Sequence, residues 1–116
     1  MKLSVIVPIY ETERFLTRCL DSLVKQTFCD VEFILIDNGA NEECKRIIDS
    51  YVHQYSRVKL ITLEHNIGYS GAMNRGLAQA SGDYIGFCDS DDWVDSDYFE
   101  LLMKRALETK ADIICT

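Results

Sequence analysis

Residues 3–39 read LSVIVPIYETERFLTRCLDSLVKQTFCDVEFILIDNG. A short β-branched run from Leu3 to Val7 gives way to apolar residues at helical spacing, Phe15, Leu16, Cys19, Leu20, Leu23 and Val24. A second run follows from Val31 to Ile36. Strand, amphipathic helix, strand is the βαβ pattern, and it continues along the chain. Cys44, Ile47, Ile48, Tyr51 and Val52 make another helical stripe, and Val58 to Leu63 a third strand. Ala72, Met73, Gly76, Leu77 and Ala80 make a third helix, Tyr84 to Cys88 a fourth strand and Asp112 to Cys115 a fifth. A fourth helix is expected to start near Asp97, where Asp97 and Glu100 offer capping ahead of Leu101, Leu102, Ala106 and Leu107. The strand candidates are nearly continuous in apolar residues, as parallel strands buried on both faces should be. The fold predicted is therefore α/β, a Rossmann-like and mostly parallel sheet flanked by helices.

At 116 residues and 47% hydrophobic content, the chain can build one compact α/β core, expected as a single domain over residues 1–116. The net charge of -7 argues against nucleic acid as a partner, since no basic stripe is available to neutralise phosphates. Five cysteines, Cys19, Cys29, Cys44, Cys88 and Cys115, are odd in number and include no CxxC pair. They suggest neither a zinc site nor a disulfide framework, and a reducing cytoplasm is the expected location. The longest apolar run, Val5 to Tyr10, is interrupted by Pro8 and falls far short of the roughly 20 residues of a membrane span.

In sheets of this kind ligands bind beyond the carboxyl ends of the strands, so the residues where each strand runs out carry the functional reading. They are Pro8-Ile9-Tyr10-Glu11, Asp37-Asn38-Gly39, Glu64-His65-Asn66-Ile67-Gly68 and Asp89-Ser90-Asp91-Asp92-Trp93. Asx and Gly residues taken singly are turn and cap formers. The fourth cluster is harder to explain that way, because Asp89, Asp91 and Asp92 crowd within four residues directly after an apolar strand. Their repulsion is relieved most economically by a divalent cation.

These residues carry a resemblance to a known family. Ser4-Val5-Ile6-Val7-Pro8-Ile9-Tyr10 with Glu13, then Leu20-Asp21-Ser22-Leu23 and Gln26-Thr27, resembles the opening of family 2 glycosyltransferases of the GT-A fold. Ile36-Asp37-Asn38-Gly39-Ala40 looks like their Asp-Asp-Gly-Ser turn. Asn66-Ile67-Gly68 with Ala72-Met73-Asn74-Arg75-Gly76-Leu77 looks like their Asn-x-Gly and Ala-Arg-Asn-x-Gly segments, and Asp89-Ser90-Asp91 matches their Asp-x-Asp motif. The ordered set spans essentially the whole chain.

The resemblance implies that Pro8, Tyr10, Asp37, Asn38, Asn66, Asp89 and Ser90 line a nucleotide-sugar site. Tyr10 and the turn at Asp37 and Asn38 would hold the base, and Asp89 would lie near the ribose. Asp91 would ligate Mg²⁺ or Mn²⁺ at the diphosphate of a UDP-linked sugar. The expected reaction is inverting transfer to a glycan or lipid-linked acceptor, in the cytoplasm or peripheral to the inner face of the membrane. Inverting members use a carboxylate general base from a later, acceptor-binding portion. The base is therefore expected beyond Thr116, with this chain the N-terminal, nucleotide-sugar-binding part of a longer enzyme and weak or inactive alone.

Asp92 and Trp93 divide evenly between ligand roles and plain structure, a capping carboxylate and a core lid. Two residues depart from the family pattern. Asn38 replaces a second Asp, and an amide that both accepts and donates should discriminate less sharply against bases with an acceptor at N3. Met73 stands where many relatives have Arg and reads as core, leaving Arg75 on a solvated face. A nucleotidyltransferase of sugar-nucleotide synthesis is an alternative, but Pro8 to Arg14 contains no glycine for a phosphate loop. A receiver domain would need an acidic pair after the first strand. A non-catalytic sugar-nucleotide-binding module remains a third reading, against which the intact Asp-x-Asp counts.

Overall fold

A computed structural model describes residues 2–109. Four strands, β1 (Leu3–Ile9), β2 (Val31–Asn38), β3 (Val58–Leu63) and β4 (Tyr84–Phe87), alternate with four helices, α1 (Leu16–Val24), α2 (Glu42–Gln54), α3 (Tyr69–Gln79) and α4 (Tyr98–Thr109). The strands form one all-parallel sheet in the order β3-β2-β1-β4. The fifth strand expected at Asp112 to Cys115 lies outside the described residues.

The pleat divides the core in two. Val5, Val7 and Ile9 of β1 share a face with Val31, Phe33 and Leu35 of β2. They pack against Leu16, Cys19, Leu20 and Leu23 of α1, Cys44 and Ile48 of α2, and Phe99 and Met103 of α4. On the other face Ile6, Ile34, Ile36 and Leu63 pack against Ala72 of α3, with Met73 half-buried beside them. Three helices therefore cover one face and one covers the other. The expectation of strands buried on both faces holds for β1 and β2, which are buried throughout. It fails for the edge strands: β3 exposes Lys59 and Thr62, and β4 exposes Ile85 and Phe87. Lys59, Ile85 and Phe87 lie on the face that α3 covers alone, whereas Thr62, paired with Asp37, lies on the other. Leu77, expected in the α3 core stripe, is likewise exposed.

Both central strands run two residues further than their apolar pattern predicts, since pairing continues through Pro8↔Ile36 and Ile9↔Asp37. A proline inside a central strand needs an explanation, because it cannot donate to a ladder. The ladder between β1 and β4 ends at Ile6↔Phe87, followed by one hydrogen bond from the Cys88 amide to the Ile6 carbonyl. Ile6 thus turns its backbone toward β4, and Pro8, two residues on, faces the same side where β4 has already departed. The two chains splay apart there and open a crevice at the carboxyl end of the sheet.

At α4, Asp97 and Glu100 do not act as the reciprocal capping pair expected of them. The buried Gln26, just past α1, accepts from the Phe99 amide (3.0 Å) and donates to the Asp95 carbonyl, while Glu100 accepts from Thr27. At the opposite end of the sheet, buried Glu32 of β2 accepts from the Ser4 hydroxyl (2.6 Å) and from the amide (2.8 Å) and hydroxyl (2.9 Å) of Ser81. This clasp ties the loop before β4 to β1 and β2. Burial acts to raise the Glu32 pKa, but the hydrogen bonds from Ser4 and Ser81 and the charge of Lys2 outweigh it and hold the carboxyl below its ordinary value.

Candidate donor-binding site

The crevice between β1 and β4 is a cavity of about 410 Å³, within the range of small-molecule sites. Pro8, Ile9, Tyr10 and Thr12 form the wall from β1, and Asn38 the end of β2. Asn66, Gly68 and Tyr69 come from the β3–α3 loop, and Asp89, Ser90 and Asp91 from the segment after β4. Of the residues assigned to the nucleotide-sugar site, all but Asp37 line this one cavity. Asp37 is buried behind it, where its Oδ1 accepts from the Ala40 amide (2.8 Å) and its Oδ2 pairs with Lys45 (2.6 Å). The pleat explains the difference. Asp37 follows Phe33 and Leu35 on the face covered by three helices, whereas Asn38 follows Ile34 and Ile36 on the other. The hydrogen bond to Asp37, only partly opposed by burial, raises the Lys45 pKa.

Asn38 is nearly buried and braces the β3–α3 loop. Its Oδ1 accepts from the Ile67 amide (3.0 Å), and its Nδ2 donates to Asn66 Oδ1 (3.2 Å) and to the Gly68 carbonyl (3.3 Å). Asn66 Oδ1 also accepts from the Gly68 amide (2.7 Å). Gly68, at φ 88°, ψ 163°, is the N-cap of α3 and supplies no side chain to satisfy the helix's first amides. With Gly68 and Tyr69 on the cavity wall, α3 presents its positive end to the crevice.

Across the cavity, Tyr69 donates to Asp89 Oδ1 (2.9 Å), and Thr12 donates to Ser90 Oγ (2.7 Å). Burial, reinforced by the bond to Asp89, raises the Tyr69 pKa, so it stays a donor at neutral pH. Carboxylate oxygens of Asp89, Asp91 and Asp92 lie within 4.8 Å of one another, all exposed. An all-oxygen, anionic donor set on one short segment suits a hard cation such as Mg²⁺ or Mn²⁺. Asp92, set evenly between cap and ligand by the sequence, thus joins the group with Asp91, and Trp93 is exposed rather than a core lid. Beneath the segment the buried thiols of Cys19 and Cys88 approach to 3.9 Å, and both donate to the Asp89 carbonyl (3.6 and 3.5 Å). The adjacent Cys88 thiol and burial push the Cys19 thiol far up.

Ile9 and Gly68, which lie in the strand-end runs but were assigned no role, are also on the wall, and Thr12 and Tyr69 there were not anticipated. Gly68 and Tyr69 carried a usable signal, as the Gly of Asn-Ile-Gly and the first residue of the helix after it. Thr12 sits in a loop with no periodicity to orient it.

A parallel sheet with this crevice and acidic segment is the architecture of the GT-A glycosyltransferases. The chain superimposes on S. aureus TarS 1-349 in complex with UDP-GlcNAc with a TM-score of 0.89 and 32% identity, over 97% of this chain and 33% of that one. It shares its fold with the mannosyltransferase PcManGT from Pyrobaculum calidifontis in complex with GDP-Man and Mn²⁺ (TM-score 0.82, 20% identity, 90% of this chain and 32% of that one). The chain belongs to glycosyl transferase family 2, which matches residues 4–116. Among relatives, it is 40% identical to glycosyltransferase GlyA of Streptococcus pneumoniae over 112 residues, 97% of this chain and 16% of GlyA. It is 35% identical to the cholesterol galactosyltransferase of Borreliella burgdorferi over 115 residues, 99% of this chain and 32% of that protein. The chain thus spans a third or less of the length of these proteins. Among the described residues no helix is long and apolar enough to cross a membrane.

Proposed function

We propose that the chain is the donor-binding domain of an inverting glycosyltransferase that takes a UDP-linked sugar and serves a glycan or lipid-linked acceptor. The observation that carries this reading is the convergence of Pro8, Tyr10, Asn38, Asn66, Asp89, Ser90 and Asp91 on one cavity with an acidic group at its mouth. The UDP and UDP-GlcNAc complexes of the TarS neighbour support the choice of nucleotide.

In this reading the base lies against Tyr10 and the Asn38–Asn66 brace. The Asn38 carbonyl, already accepting from Ile67, keeps a second lone pair for the N3–H of uracil. Asp37 and Lys45 hold the turn beneath Asn38 without touching the nucleotide. Asp89, oriented by Tyr69, meets the ribose, and the amide end of α3 favours the negative diphosphate. Asp91, with Asp89 and Asp92 beside it, would hold Mg²⁺ or Mn²⁺. The cation, when bound, neutralises charge on the departing diphosphate as a Lewis acid. The relatives are three or more times as long as this chain, and in this reading the general base and most of the acceptor site fall to the portion of such an enzyme that the chain does not cover.

Thermal unfolding with UDP, CDP, GDP or ADP in Mn²⁺ tests the proposal. Bound at 100 times its Kd, UDP should stabilise by about 2.7 kcal/mol, a shift of several degrees, and exceed the other nucleotides. No shift with any of them would defeat the reading.

A further inference from the structure

Three side chains at helical spacing, Cys19 and Ser22 on α1 and Gln26 two residues past its end, run along the segment that carries the acidic group. Cys19 donates to the Asp89 carbonyl (3.6 Å), and Ser22 Oγ accepts from the Val94 amide (3.3 Å). Gln26 donates to the Asp95 carbonyl (2.5 Å) and accepts from the Phe99 amide (3.0 Å), and the Thr27 amide donates to the Ser96 carbonyl (2.8 Å). One helix and its C-terminal turn thus grip the backbone on both sides of residues 90–93. Between the two grips the chain turns back, with the Asp92 amide donating to the Asp89 carbonyl (3.0 Å), and Asp91, Asp92 and Trp93 stand exposed on this arch.

We propose that Ser22 and Gln26 are positioning residues for the cation site: they hold the acidic arch in the shape that brings its carboxylates together. Carboxylate oxygens of Asp89, Asp91 and Asp92 lie within 4.8 Å and repel one another, so an arch free to relax would spread them. Reassembling spread ligands around an arriving ion lowers affinity, and a pre-shaped arch avoids that loss. The grip is made by buried groups. Gln26 is 5% exposed, and its amide joins α1 to α4, with Nε2 shared between the Ser22 and Asp95 carbonyls and Oε1 on the Phe99 amide. Ser22 in turn donates to the Cys19 carbonyl (2.6 Å), which leaves its lone pairs for Val94. Neither residue lines the donor cavity, so their effect on a bound ion passes through the backbone of the segment. The Leu20–Leu23 and Gln26–Thr27 motifs of the sequence thereby gain a role. The inference rests on the donor-binding reading above, because it takes the acidic group to be a cation site.

Titration of the chain with Mn²⁺ alone, followed by the paramagnetic resonance signal of the free ion, tests this on samples that circular dichroism shows to be folded. Gln26→Met, similar in length but without the amide, should weaken Mn²⁺ binding roughly tenfold, the low end for groups that orient metal ligands. Ser22→Ala, which removes one contact to the segment, should weaken it roughly threefold, and Ser22→Thr, which keeps the hydroxyl, should restore it. Tyr51→Phe controls for a merely loosened helix: it deletes the bond from Tyr51 to Asp21, next to Ser22 on α1, and leaves the segment untouched. Its Mn²⁺ affinity should match the wild type even where its stability falls. Trp93, the single tryptophan, lies in the arch, so its emission anisotropy should drop in Gln26→Met and hold in Tyr51→Phe. Folded Gln26→Met and Ser22→Ala proteins that bind Mn²⁺ like the wild type would reduce the grip to plain structure and overturn the inference while the donor site stands. If Gln26→Met does not fold, Ser22→Ala decides alone. A wild-type chain that binds no Mn²⁺ overturns the cation site itself, and the inference with it.

Discussion

Replacing Gly39 by alanine should damage the fold and the donor site together. Gly39 follows β2 at φ 72°, and a Cβ there would stand 2.7 Å from the Asn66 amide nitrogen and 2.8 and 2.9 Å from two backbone atoms of His65. No rotamer relieves contacts with backbone, so the β3–α3 loop must move and its hydrogen bonds to Asn38 must stretch. A left-handed alanine costs about 1–2 kcal/mol and overpacking about 1–3 kcal/mol, together roughly 3 kcal/mol. Gly68→Ala is the control, at φ 88° with nothing within 4 Å of the added carbon, so only the backbone penalty of about 1–3 kcal/mol applies. Urea unfolding followed at 222 nm should find Gly39→Ala the less stable of the two, by about 1 kcal/mol between the central values, and calorimetry should find its UDP affinity lost. A Gly39→Ala protein as stable as Gly68→Ala, with intact UDP binding, would refute the close packing of these two loops.

Asn38→Asp exchanges the donor aimed at Asn66 Oδ1 and the Gly68 carbonyl for an oxygen. It should cost about 1–3 kcal/mol in urea unfolding through lost hydrogen bonds. It should also sharpen the preference for UDP over CDP, and an unchanged ratio would dismiss the proposed contact with N3–H. Because the folded-state pKa of Glu32 is lowered below 4.5, its contribution to stability is present above that pH and is lost as the pH falls through the folded value. Unfolding measured from pH 7 to pH 3 should show this loss, and Glu32→Gln should start about 2 kcal/mol lower at pH 7 and show a flatter dependence. In α3, Gly76→Ala brings a methyl to 2.6 Å from Cγ2 of the fully buried Ile6. It should lower stability by about 1–2 kcal/mol despite the better helix propensity of alanine, as read by the urea midpoint.

The alternation of elements and the cavity-lining ends of the strands were legible because hydrophobic period and turn chemistry are local properties. What depends on three-dimensional pairing was not. Amphipathic stripes say that a helix has a buried face, but not that α1, α2 and α4 share one side of the sheet while α3 stands alone on the other. The exposure of Ile85, Phe87 and Leu77 follows from that asymmetry. Asp37 and Asn38 looked equivalent as neighbours in a turn. Their separation, Asp37 into an ion pair with Lys45 behind the cavity and Asn38 onto its wall, follows from β2 running through both, since adjacent strand residues point to opposite faces. The exposure of Trp93 was equally beyond reach, because the ring suits a core as well as a rim. Asp89, Ser90 and Asp91 line the cavity because the segment after β4 emerges at the carboxyl end of the sheet, a placement the strand pattern makes legible.

The most direct test of the central claim is calorimetric titration of the chain with UDP, with and without Mn²⁺, repeated on Asp91→Ala. A donor-binding domain gives binding that requires both the metal and the Asp91 carboxylate, with circular dichroism showing the variant folded. UDP binding that persists unchanged without Mn²⁺ or in Asp91→Ala would contradict the metal-bridged donor site, and no binding by a folded wild-type chain would contradict the donor site altogether.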